Sequence, residues 1–506
     1  MKKTCLFALV CILSTIALSV MAENLLDVVE EAQNAIVKKY PAEDSIARKM
    51  ALKDLEEIAS CNKTDDQKVE MIRTRYLKQA ASSSSSSAAF EQGKADNKEL
   101  SPLETMFFVG QVAYMNGRYE TAVDMFKDCA LQGYIKAQTM LGLCYNLGKG
   151  VKEDPSEAVK WYRQAAEQGD DDAQLYLAMC YERGDGIEQN LSEAAKWYRK
   201  ASEQGLAQAQ LKIGNFCCGG LLGSKDFAEA VKWWRKAADQ GNAEAQNSLA
   251  LSYMQGNGVE KDQKEAVSWF KKAAEQNHAE AQYNLGICYS EGIGVERNSK
   301  ESLKWFRKAA EQGLAKACYS LGLRYYRGTG VKEDHAEALK WIQMAVEQDD
   351  ADAECLLAVY YVLGDCVKQD TAEAVKWAKK SASMGNADAQ LLLASLYAEG
   401  KSVKYDRDEA IKWYRLAAER GKAIAQFQLA VLYSTKDAKG KVNYPEAAKW
   451  YRKAAEQGHA KAQLMLGLCY SLGNGVEKNR DEALKWIRKA ADQGDEDAKE
   501  ALGKLK

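Results

Sequence analysis

Ten tryptophans at a fixed interval decide what this chain can fold into. Trp161, Trp197, Trp233, Trp269, Trp305, Trp341, Trp377, Trp413, Trp450 and Trp486 are 36 residues apart in eight of nine intervals and 37 apart in the other, between Trp413 and Trp450. The additional residue enters around 435–442, and only Trp234 lies off the ladder. A period of this size marks a repeat architecture, in which each unit buries its apolar faces against its neighbours. At 506 residues with only 4 prolines, the chain is too long for one compact core and well suited to a helical array.

One unit shows two helices. Gln138, Leu141, Gly142 and Tyr145 stand at i, i+3, i+4 and i+7, an apolar stripe at helical period, and Gly148 and Gly150 end this helix A. Helix B opens with Asp154 as N-cap, Pro155 in the first turn and Glu157 at the capping-box position. Ala158, Trp161 and Ala165 form its stripe, Gly169 stops it, and Lys160, Arg163 and Glu167 ride the wet face. The Gly142 position is Gly or Ala in all ten units to Gly467. That small residue allows close helix approach, while the Trp-Tyr pair supplies bulk between hairpins.

These residues resemble the Sel-1-like repeats, loop-lengthened relatives of the tetratricopeptide repeat. The shared pattern, A-x-A-Q-x-x-L-G-x-x-Y-x-x-G-x-G-V followed by D-x-x-x-A-x-x-W-x-x-x-A-A-x-x-G, is met almost throughout 136–169, and the likeness covers about 103–506. It implies an all-α fold, a right-handed α/α superhelical solenoid of about eleven helical hairpins, acting as a scaffold or adaptor for a protein or peptide partner. Residues 103–133 depart from it, with a shorter loop and no Trp, and are expected to cap the array. The unit at Ala209 departs too, with Cys217 in the Tyr place and 219–223 replacing the loop glycines, so a local change of pitch is expected there. Residues 498–506 begin one more helix A, a C-terminal cap.

Ahead of the array, Lys2 and Lys3 precede an apolar run to Val20 and a small residue at Ala22. Residues 1–22 therefore read as a cleavable signal peptide, which directs the chain to the periplasm or outside the cell. A helical leader is expected over 23–80 and a flexible linker over 81–101, containing Ser82 to Ser87. The array then spans 102–506. No later segment approaches 18 uninterrupted apolar residues, so no membrane association is expected after cleavage. The 70 basic and 72 acidic residues remove the bulk electrostatic case for nucleic-acid binding.

Chemistry-bearing residues are few. Three histidines leave little for a histidine metal site or a Ser-His-Asp triad, so no enzyme, cofactor or metal is expected. His278 and His459 read as solvated turn residues, and His335 follows an N-cap. Thirteen cysteines invite a disulfide reading in an exported chain. However, Cys144, Cys180, Cys288 and Cys469 share a register of small buried side chains and lie too far apart to pair. Buried free thiols are expected, with Cys355–Cys366 and Cys217–Cys218 as the pairs worth testing. The acidic runs at 170–172 and 349–352 sit at helix N-termini, where the dipole already favours carboxylates. The alternative to a scaffold is an enzyme or binder acting on cell-wall fragments or β-lactams, as the resemblance implies for cysteine-rich relatives. A third possibility is an array that only spaces other components.

In solenoids of this type helix A usually supplies the recognition face. The third, seventh and tenth residues after its leading Ala vary most, and give a candidate groove of Arg324, Arg327, Leu356, Tyr360, Leu363, Leu392 and Leu396. Two guanidiniums beside apolar side chains suit a peptide with an acidic anchor.

Overall fold

The computed structural model describes residues 101–505 apart from Leu222, Lys401, Ser402 and Ala438. The expected signal peptide, the leader and the linker up to residue 100 lie outside the described residues. Within them the chain is all-α, with 23 helices and no strand, an α-solenoid of stacked hairpins. It divides into two compact units at Ala209/Gln210.

The unit before that boundary opens with the expected short-looped hairpin, Pro102–Met115 and Tyr119–Leu131. Ser101 caps it through a complete capping box with Glu104. The hairpins Ile135–Leu147 with Pro155–Glu167, and Asp171–Arg183 with Leu191–Glu203, follow. The second unit continues the pattern to Arg480–Asp492 and a closing helix, Glu496–Leu505, whose Ala498 is fully buried.

Local chemistry accounts for every hairpin. Asp154, Asn190, Asp226, Asp262, Asn298, Asp334, Asp370, Asp406, Asn443 and Asn479 each accept a backbone N–H from the glutamate three residues on, a cap worth about 1 kcal/mol. The expected capping box at Glu157 is only half made. The N-cap N–H of Asp154 instead donates to Tyr145 O at 2.9 Å, which closes the loop. The glutamate is thereby released to Lys160 at 2.6 Å. Its counterparts Glu229, Glu265, Glu373, Glu409 and Glu482 also accept the indole N–H of the ladder tryptophan one turn on.

The glycine at 150 is set by close approach as well as by its φ of 73°. A Cβ there would lie 2.2 Å from the carbonyl oxygen of Tyr119, the first residue of the preceding helix B. The small residue at position 142 faces Tyr162, whose ring would be 2.8 Å from an added Cβ. In the hairpins with glycine at this position, the residue after the ladder tryptophan, not the tryptophan, therefore fills the gap between the helices. Trp234 occupies that place against Gly214, which explains why it lies off the ladder.

A second ladder links successive hairpins. Gln138, buried, donates to Ala130 O of the preceding helix B at 3.3 Å and accepts from Gln168 at 2.8 Å. The same pair recurs at Gln174/Gln204, Gln210/Gln240, Gln246/Gln276, Gln282/Gln312, Gln426/Gln457 and Gln463/Gln493. Buried amides satisfied in this way join three helices at each step.

The ladder is interrupted between 318 and 420. Cys318 and Glu354 stand in the amide position, and Met384 and Arg420 in its partner's. Glu354 is fully buried, and its carboxylate is met by Lys380 at 2.6 Å. Removing the cation strands a buried charge. Lys380→Met is therefore expected to lower the midpoint of urea unfolding, and Glu354→Gln in the same chain to restore it. A double variant no more stable than the single one would overturn the assignment.

Candidate functional site

The variable stripe of helix A does not form one continuous surface. Its seventh position points inward: Cys144, Cys180, Cys288 and Cys469 are buried there, and so are Tyr360 and Leu396. Tyr360 packs on the ring of the partly exposed Tyr326 at 5.2 Å, and neither Tyr360 nor Leu396 is exposed. Leu356 and Leu392 are half-buried against apolar clusters formed largely by the preceding hairpins. Leu363, at the tenth position, is exposed. The apolar part of the proposed groove is mostly interior.

The basic part is different. Helices Ala279–Glu291, Ser299–Glu311 and Ala315–Arg327 surround a cavity of about 380 Å³ lined by Arg297, Arg324, Arg327, Glu291, Phe306 and Leu323, among others. Three guanidiniums thus face one carboxylate. Arg324 reaches in across Phe306, its guanidinium carbon 4.6 Å from the ring centre, and donates to Ser290 Oγ at 2.8 Å. Its Nε is buried without a hydrogen-bond partner. Desolvation pulls its pKa below the usual arginine value, with nearby Arg297 adding to the effect and Glu291 opposing it. A buried donor left unmade costs about 1–3 kcal/mol, so this pocket presents unspent capacity for an anion. A wider crevice, of about 850 Å³, lies at Asp262–Lys264 and Gly292–Glu296. Its side chains Lys261, Lys264, Asp262 and Glu296 are exposed and of both signs, which suits solvent better than a ligand.

The thiols of Cys144, Cys180, Cys218, Cys288, Cys318, Cys355, Cys366 and Cys469 are free. Burial pushes the thiols of Cys144, Cys180 and Cys355 up to about 12, and those of Cys288, Cys318 and Cys469 up to about 11. These thiols are poor nucleophiles. Asp170 and Asp350 are N-caps, as the dipole argument expects. His278 and His459 are N-caps rather than plain solvated turns, accepting from Ala281 and Ala462 through Nδ1.

His335 was the least legible from sequence. Its Nδ1 lies 3.0 Å from Asp365 Oδ1 and its Nε2 3.0 Å from Glu333 Oε1, and Cys366 is close by. Only the 36-residue register brings these residues into reach: 366 falls on the loop glycine that stands 31 residues after the first residue of the preceding helix B.

The Sel1 repeat family pattern matches ten consecutive segments, from 135–170 to 460–495. The chain is similar to the crystal structure of a protective antigen of uropathogenic Escherichia coli strains that displays an SLR fold. Identity is 37% over 76% of this chain and 82% of that one, with a TM-score of 0.61. A Sel1 repeat protein from Oxalobacter formigenes is 36% identical over 47% of this chain and 96% of that one, with a TM-score of 0.45. No curated protein matches the chain.

Proposed function

The chain belongs to the Sel1 repeat family, and from that premise we propose that it is an exported scaffold or adaptor whose Arg297–Arg324–Arg327 pocket receives a carboxylate of a protein partner. Proteins of this family are generally protein-interaction scaffolds and generally not enzymes. The observation that carries the reading is the half-buried Arg324, with one N–H unmatched inside a cavity of net positive charge. Stacked helices hold that guanidinium in place before binding, so little ordering entropy is lost when a partner arrives. Leu323 and Phe306 supply apolar walls around the anchor. Export is supported by the charged start, apolar run and small residue of 1–22. No helix among the described residues is long and apolar enough to cross a membrane.

The test uses the full chain and fluorescein-labelled peptides in pairs that differ only by Asp against Asn within an apolar sequence. The Asp member is expected to bind more tightly. Arg324→Ala should weaken it by about 1.5–3 kcal/mol, roughly 10- to 100-fold, the range of a charged hydrogen bond. Equal affinity within the pairs, or an unchanged affinity for the variant, would sink the proposal.

A further inference from the structure

We propose that His335, Asp365 and Cys366 bind a divalent transition-metal ion of the zinc class, which bridges two consecutive repeats. The three residues offer one imidazole nitrogen, one carboxylate oxygen and one sulfur, all within 4.8 Å of one another. Bonds of about 2.0–2.3 Å to a tetrahedral ion bring such atoms to within about 3.3–3.8 Å of each other, a contraction of at most about 1.5 Å. Nitrogen and sulfur donors with one carboxylate favour zinc over magnesium or calcium.

Two independent features point to a ligand between these groups. The first is the polarity of the imidazole. Glu333 Oε1 lies 3.0 Å from Nε2, placed to accept the imidazole proton once an ion takes Nδ1. Asp365 Oδ1 lies 3.0 Å from Nδ1, and Asp365 Oδ2 accepts the Tyr326 hydroxyl at 2.5 Å. Tyr326 also stacks on the imidazole, with ring centres 5.1 Å apart, so both ligands are held by outer partners, as metal sites require.

The second feature is the backbone of Cys366. Its φ is +60°, and the corresponding positions 150, 186, 258, 294, 330 and 475 are glycines with φ between +70° and +77°, whereas 222 and 402 carry Leu and Ser. A Cβ at those glycines would come within 2.1–2.6 Å of the carbonyl oxygen of the residue 31 positions upstream. For Cys366 that upstream residue is His335. At 366 the side chain is a metal-ligating one, and it lies against a second potential ligand. On binding, the thiol gives its proton to solvent and the thiolate joins the ion, with water completing the coordination.

The experiment is zinc titration of the chelator-stripped full chain against a chromophoric competitor, followed by cobalt substitution. One equivalent should bind. Cys366→Ser should abolish the thiolate-to-cobalt charge-transfer band, and His335→Ala should remove the site. Glu333→Gln, acting on the imidazole from outside, should weaken zinc by about 10- to 100-fold. Cys366→Gly should raise the unfolding temperature of the metal-free chain and remove its further rise with zinc, a readout that does not depend on a variant losing structure. A cobalt band that survives Cys366→Ser, or zinc stabilisation undiminished in Cys366→Gly, would overturn the proposal. So would the absence of zinc binding.

Discussion

Tyr162→Ala is expected to cost about 3–5 kcal/mol of stability, the range for deleting a large buried aromatic, and Trp161→Ala clearly less. Tyr162 is 1% exposed and lies against Gly142, with Tyr176 at 5.3 Å on its other side. No residue at position 142 can fill the space it would leave. Trp161 is only half-buried and covers the hairpin from outside. Urea unfolding followed by far-ultraviolet circular dichroism measures both. In a stack where each repeat touches only its neighbours, the Tyr162 lesion should also weaken coupling between the flanking repeats and broaden the transition. Equal losses for the two variants would return the ladder tryptophan to the structural role its spacing suggests.

The second result concerns pH. Burial raises the Asp172 carboxyl to about 7, helped by Asp171 and Asp170 and opposed by Lys136. An acid whose folded pKa lies above its unfolded value holds its proton more tightly in the native state. Its contribution is therefore greatest below the unfolded pKa, near 4, and is lost as pH rises through about 7. Asp172→Asn should stabilise the chain at pH 8 by on the order of 2–4 kcal/mol, and this advantage should shrink to nothing by about pH 4. Asp170, raised by burial but held down by its cap to Ala173 and by Thr139, adds to the slope of the native chain. Unfolding temperatures of the two proteins across pH 4–8 decide the matter. Parallel curves would show that Asp172 is solvated in the native state.

Both expectations turn on burial, which the sequence displays unevenly. The hairpins were legible because their determinants are local. A 3.6-residue stripe, an Asp or Asn N-cap and a left-handed glycine each act within one turn of the residue that carries them. The Arg324 and Arg327 pair was legible for a similar reason, since both lie on one face of one helix. Arg297, the third guanidinium of the pocket, was not, because it comes from the loop ahead of the preceding helix B, Ser299–Glu311. Tyr360 and Leu396 were misplaced because the seventh position of helix A is variable in sequence yet interior in space. The buried Cys144, Cys180, Cys288 and Cys469 in that same register carried the contrary signal. Glu157 was misread as a capping box because the carbonyl of Tyr145, in the last turn of helix A, satisfies the N-cap amide first.

The sequence by itself determined the period, the two-helix unit, the caps and the all-α class, because these follow from backbone hydrogen bonding and apolar spacing over a few residues. Only the tertiary structure decided which variable residues face inward, which glutamine meets which 30 residues away, and that His335 lies beside Cys366. Those outcomes depend on how closely one hairpin rests on the next. That distance is set by a loop backbone pressed against the preceding helix B, while side-chain volume at the Gly142/Tyr162 contact sets the spacing within each hairpin, quantities that exist only once the helices have packed.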